Sequence, residues 1–208
     1  MKISTTSQRI ATLFDQRVKS DKNIHNAHLL VHSDGNHLHL NLAGGNAKNT
    51  AGNFIQMGQP VFMASVGKLF TAILIGMLCE QGKLSFDFRI CDLLEPDLLN
   101  GLHVFSGINY SDQIRLKHLL NHTSGLPDYF EDKPARGPGM VERILTEPER
   151  IYQPREIINW SKENLKSRFP PGKGFHYSDT GYHLLGLVIE AVTGMPFHIA
   201  LCLSLIHI

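Results

Sequence analysis

An apolar run, residues 69–79, follows directly on the tetrapeptide Ser65-Val66-Gly67-Lys68, and this junction constrains the fold more than any other stretch. At 11 residues the run is too short to cross a bilayer, which takes about 20, and its length suits a buried helix. Residues three apart on a helix share a face, so the Ser65 hydroxyl and the Lys68 amine would lie side by side at the helix start. A serine with a buried amine beside it is one way to make a nucleophile. The pattern alone is also what a helix-capping serine and a solvated lysine would give. With 13 serines and 11 lysines in 208 residues, about 0.7 such pairs arise by chance, so the surrounding sequence has to decide. Residues 54–64 read as a strand running into Ser65.

Elsewhere the periodicity is legible. Ile10, Leu13, Phe14 and Val18 predict an amphipathic helix over residues 7–20. Asp34-Gly35 predicts a two-residue hairpin turn between alternating runs. Closing the turn there pairs Ser33 with Asn36, His32 with His37, Val31 with Leu38, and Leu29 with Leu40. One face of the hairpin is then Leu29, Val31, Leu38, Leu40 and Leu42. The other carries His28, His32, His37 and His39, plus Leu30. No cysteine or carboxylate completes a ligand set around those histidines, so a solvated polar face is expected, with no metal and no cofactor. Residues 44–53 form a Gly/Asn-rich loop. The helix after Ser65 should end near Gly82. A short helix is expected over residues 114–120. Residues 128–154 are rich in Pro, Gly and charge and read as a surface loop with little regular structure. Pro154 should start a helix reaching Leu165. A last helix runs from Asp179 or Thr180 to Thr193, stopped by Gly194 and Pro196.

Composition narrows the function. Hydrophobic residues make up 42% and charged residues 19% of the chain, which is globular, and the net charge of +1 comes with no basic stripe for nucleic acid. Residues 1–22 lack the apolar core of a secretory signal, so a cytoplasmic protein with no membrane segment is expected. Cys79, Cys91 and Cys202 have no metal-ligand spacing, and two of them sit in apolar surroundings and read as reduced core residues. The ending Leu203-Ser204-Leu205-Ile206-His207-Ile208 looks like the in-frame translation of a sequencing-library adapter. On that reading residues 203–208 are a non-native tail and the chain is an N-terminal fragment.

Three segments occur in a telling order: Ser65-Val66-Gly67-Lys68, then Leu119-Leu120-Asn121-His122-Thr123-Ser124-Gly125-Leu126, then Tyr177-Ser178-Asp179-Thr180-Gly181-Tyr182 before a helix. Over residues 54–196 the chain thereby resembles the serine beta-lactamase-related superfamily, in particular class C beta-lactamases, low-molecular-weight DD-peptidases and their esterase relatives. The resemblance implies an α/β fold of the α+β type, an antiparallel sheet flanked by helices with a mostly helical insert. Residues 1–83 would form the sheet domain with the active-site helix, 84–175 the insert, and 176–202 the returning part of the sheet domain. Ser65 would lie in the cleft between them.

The same resemblance implies the roles. Ser65 would be the acylated nucleophile, with its backbone N–H as half of an oxyanion hole. Lys68 would help take the serine proton, its pKa depressed by burial, and Tyr177 would share the transfer. The other half of the oxyanion hole would come from a strand with a Lys/His-Thr-Gly motif, which these 208 residues do not contain, so little turnover is expected of them. The His122–Leu126 segment is a structural signature with no assigned chemistry. His176 would line the pocket beside Tyr177. Asp179 stands where the family has Asn; an Asn amide can donate to a substrate carbonyl, whereas an ionised Asp only accepts. Close to Lys68 it would favour the charged amine. It would then weaken lactam or peptide recognition in favour of esters, or serve only as the N-cap of the last helix. The substrate is expected to be a small ester or amide, and the alternative is a non-catalytic binding or regulatory member of the same fold.

Overall fold

The computed structural model describes residues 2–48 and 52–205, in two compact units that divide between residues 62 and 63. In the first, helix α1 (Lys2–Ser20) packs on a hairpin of β1 (Asn26–Ser33) and β2 (Leu38–Gly45). Val18 is buried, and a Cβ at Gly44 would lie 3.2 Å from the Phe14 ring, so helix and strand are in close contact there. The hairpin turn is longer than Asp34-Gly35 alone predicts. A 3-10 turn over Asp34–Asn36 ends at His37 in the left-handed region (φ 48°), and the pairs are Ser33↔Leu38, His32↔His39, Val31↔Leu40 and Leu29↔Leu42. The slip is two residues; because side chains alternate with period two, the apolar face keeps its members. His37 leaves the polar face for the turn. His32 and His39 face each other, Nδ1 to Nδ1 at 3.1 Å, and Asp34 pairs with His32 Nε2 at 2.9 Å.

Residues 54–64 are not a strand. Only Phe54 makes a ladder contact, an isolated bridge to Lys48, and the segment is broken by a turn with Gly58 at φ 82° and by Pro60. Proline offers no N–H to a ladder, and no partner strand meets this segment among the described residues.

The second unit is helical. Its core joins Leu74, Ile75 and Leu78 of α2 (Gly67–Glu80) to Leu184, Leu185, Val188 and Ile189 of α7 (Asp179–Thr193), with Leu116 and Leu119 of α4 (Leu116–Leu120) and Ile158 of α6 (Pro154–Asn164). Pro154 opens α6 at a position that needs no N–H, and Gly194 closes α7 at φ 67° before α8 (Phe197–Leu205). Between α2 and α4 come a short helix, α3 (Pro96–Leu99), and a small hairpin, β3 (Val104–Phe105) with β4 (Ile108–Asn109). The stretch 128–154 is not wholly irregular: α5 (Met140–Thr146) forms within it, anchored by the buried Met140. The result is a mixed α/β architecture of many helices and small antiparallel sheets. Among the described residues no single helix is long and apolar enough to cross a membrane. The proposed tail lies partly outside the described residues; Leu203, Ser204 and Leu205 continue α8.

Candidate active site

Ser65 sits in a 3-10 turn, Ala64–Val66, that leads straight into α2. The residue before it, Ala64, is left-handed at φ 46°, a conformation that costs a non-glycine residue about 1 kcal/mol or more and so marks a bend the surroundings impose. The bend leaves Ser65 exposed at the positive end of α2. Lys68 follows in the first turn, and its ammonium donates to Ser65 Oγ at 3.3 Å.

The second half of the site comes from the approach to α7. Tyr177 Oη donates to Ser65 Oγ at 2.9 Å across 112 residues of sequence. Asp179 forms an ion pair with Lys68, both side chains largely buried. Lys68 Nζ also lies 5.0 Å above the Tyr177 ring and 5.5 Å above that of Tyr182, which favours its cation.

The electrostatics correct one expectation. Burial does pull Lys68 toward its neutral form, but hydrogen bonds and charge from Asp179 and Tyr177 outweigh it, and the pKa stands above its ordinary 10.5. Lys68 is therefore held as an ammonium at neutral pH, because an acidic partner sits where the family has a neutral amide.

The loop over residues 127–132 fixes the start of α7. Ser178 Oγ donates to the Pro127 carbonyl at 2.9 Å, and Thr180 Oγ1 accepts from the Tyr129 N–H at 3.1 Å. The Asp179 N–H donates to Asp128 Oδ1 at 2.9 Å. Asp128 is buried, which raises its pKa. The N-cap of α7 is Ser178, whose hydroxyl accepts from the Gly181 N–H at 3.2 Å, so Asp179 is not the cap and its carboxylate is free to face Lys68. The loop itself is pinned at Gly125 (φ 77°), where any Cβ would collide with the Phe169 carbonyl. His176, expected beside the pocket, instead pairs through Nε2 with Asp132 at 2.9 Å, and Arg168 holds the same carboxylate at 2.6 Å.

Three contributors escaped the sequence reading. Tyr182 lies beneath Lys68 and donates through Oη to the Leu120 carbonyl at 3.2 Å. Asp128 anchors Asp179. His122 stacks on Tyr177, ring centroids 4.3 Å apart. The second tyrosine of the Tyr177–Tyr182 segment and the histidine in the central motif were the available signals. Among the described residues no three His, Cys, Asp or Glu side chains converge as a metal site.

The sequence and the fold are shared with known proteins. A family model described as Beta-lactamase matches residues 10–201. The chain belongs to the beta-lactamase family. It is similar to penicillin-binding protein 4* of Bacillus subtilis, 34% identical over 136 residues that make up 65% of this chain and 26% of that protein. Penicillin-binding protein 4 of Amycolatopsis lactamdurans is 27% identical over 184 residues, 88% of this chain and 42% of its own length. Among solved structures, the D-stereospecific amidohydrolase from Streptomyces sp. superposes with a TM-score of 0.64 at 26% identity, covering 81% of this chain and 45% of that one. The chain thus spans under half the length of each of these serine-hydrolase relatives.

Proposed function

We propose that Ser65 is the nucleophile of a serine hydrolase that acts on small esters or amides through an acyl-enzyme. Ser65 Oγ attacks the acyl carbon, the leaving alcohol or amine departs with a proton, and water then hydrolyses the Ser65 ester. Support comes chiefly from one observation, the convergence of Tyr177 Oη and Lys68 Nζ on Ser65 Oγ at 2.9 and 3.3 Å from distant segments. Both are within reach for proton transfer. The similarity to a D-stereospecific amidohydrolase supports an amide or ester substrate class.

Asp179 tunes this chemistry. A lysine held charged cannot accept the serine proton until it loses its own, so acylation should rise with pH toward the raised pKa of Lys68. With Asn at position 179 the amine would lose its counter-ion, its pKa would fall, and the rising limb would move to lower pH. The Asn amide would also offer a donor to an amide or lactam carbonyl. The same ion pair favours a second reading, in which the charged Lys68 leaves a pocket that binds without turnover.

A fluorophosphonate probe on the full-length gene product separates the two. Labelling of Ser65 that vanishes in Ser65→Ala, quickens at neutral pH in Asp179→Asn, and comes with a lower ester-to-lactam preference supports the hydrolase. Absence of labelling at every pH supports the binding protein. The 208-residue chain is expected to turn substrate over little, and brisk hydrolysis by it contradicts that part of the proposal.

A further inference from the structure

His122 surrounds residue 177 on three sides. Its carbonyl accepts from the His176 N–H at 2.9 Å, and its ring Nδ1 accepts from the Ser178 N–H at 3.1 Å. Its ring lies against the Tyr177 ring at 4.3 Å and 28°. The same imidazole tilts against Tyr182 at 5.3 Å, and Phe175 meets its edge at 6.1 Å. His122 itself stands at φ 56°, a left-handed conformation that turns the chain back after α4. An imidazole that accepts a backbone N–H at Nδ1 carries its proton on Nε2 and is neutral.

We infer that His122, as the neutral Nε2–H tautomer, is the positioning residue that holds the Tyr177 phenol against Ser65. This rests on the proposed role of Ser65 and Tyr177 and adds to it a residue that touches neither the nucleophile nor substrate. The backbone bonds to residues 176 and 178 set the height of Tyr177 in the chain, and the stacked ring sets the tilt of its phenol. Protonation would turn Nδ1 from acceptor to donor, facing the Ser178 N–H with a like dipole, and would break the bond that seats Tyr177.

The charges around His122 agree with a neutral ring. Burial lowers its pKa from 6.5, Lys68 and His176 lower it further, and Asp179 alone opposes them. His176 is in turn paired with Asp132. Protonation of His122 therefore falls below pH 6.5, and the acylation rate should drop there more steeply than loss of neutral Lys68 alone would make it.

Two substitutions separate the contacts. His122→Asn keeps a left-handed backbone and an acceptor for Ser178 but removes the ring and its titration. His122→Phe keeps a stacking ring and removes the acceptor. In the full-length gene product, the log rate of Ser65 labelling against pH should have a slope near one above pH 6.5 and approach two below the His122 transition. Both variants should label about tenfold or more slowly and keep a slope near one throughout. Wild-type rates and an unchanged steep limb in a folded His122→Asn protein would overturn the inference. A second readout does not depend on catalysis. With 3-fluorotyrosine incorporated, the Tyr177 fluorine resonance of the 208-residue chain should titrate below pH 6.5 and stop doing so in His122→Asn. A Tyr177 signal indifferent to His122 overturns the positioning role. Should that signal follow His122 while Ser65 stays unlabelled, the hydrolase reading fails and the positioning role stands.

Discussion

Helices α7 and α2 bring the halves of the site together and are both rich in apolar residues, yet they are held very differently. Thr180, Gly181, Leu184, Leu185, Leu187, Val188 and Ile189 of α7 are all buried, and three hydrogen bonds from residues 127–129 tie its first turn. α2 buries Thr71, Leu74, Ile75 and Leu78 along one side only. Its other side leaves Leu69 58% and Ile73 41% exposed, and no side chain caps its start. Tyr177 and Asp179 thus stand on a fixed support. Ser65 and Lys68 are located largely by their contacts to that support: the phenol on the serine and the carboxylate on the amine. At the centre of the site the charged pair adds a directional link between two helices that otherwise meet through apolar packing and the Lys68–Tyr182 ring contact.

The largest effect should come from the supporting helix. Leu185 is fully buried, so Leu185→Ala removes buried methyl groups and leaves a cavity; a loss of about 2–5 kcal/mol is expected. Urea unfolding of the 208-residue chain measures it. A cost near zero would mean that α7 is not the rigid partner described.

Acid should act through the same helix, by a smaller amount. Burial lowers the pKa of His183 on α7 and that of the wholly enclosed His103. For each, the folded pKa lies below the unfolded value of 6.5, so the unfolded chain binds more protons in acid. The stability these histidines contribute is present above pH 6.5 and is lost as pH falls through the folded pKa values. Melting temperature should therefore fall between pH 7 and pH 5, and His183→Phe should lessen the fall. A melting temperature that is flat or rising over that interval would contradict the assignment of neutral buried histidines.

Legibility in the sequence follows the range of the interactions. Helices α1, α2, α6 and α7 were readable because periodicity, an opening proline and closing glycines are local signals. The hairpin faces were readable because they depend only on alternation, whereas its register depended on His37 extending the turn in a left-handed conformation, which the Asp34-Gly35 signal does not include. Residues 54–64 are apolar enough to read as a strand, but a strand exists only with a partner, and Pro60 and Gly58 break the run. α5 was hidden because it rests on one buried residue, Met140. At the site, Ser65 and Lys68 were visible as neighbours, and the family resemblance supplied Tyr177. Both pulls on Lys68, burial and the Asp179 charge, were visible, but not which one wins, because that depends on a carboxylate 111 positions away folding against the amine. The ring contacts of His122 and Tyr182 form only in the folded chain.

The smallest effect provides the sharpest test of the asymmetry. Leu69→Ala makes on α2 the same chemical change that Leu185→Ala makes on α7, and alanine is at least as good a helix former as leucine. Leu69 is more than half exposed, so its methyl groups give up little contact with water on folding and leave no cavity when removed. The substitution should change stability by no more than about 0.5 kcal/mol, several-fold less than its counterpart. Equal costs at the two positions would show that the open side of α2 is covered in solution, and the Ser65–Lys68 turn would then have a support of its own besides Tyr177 and Asp179.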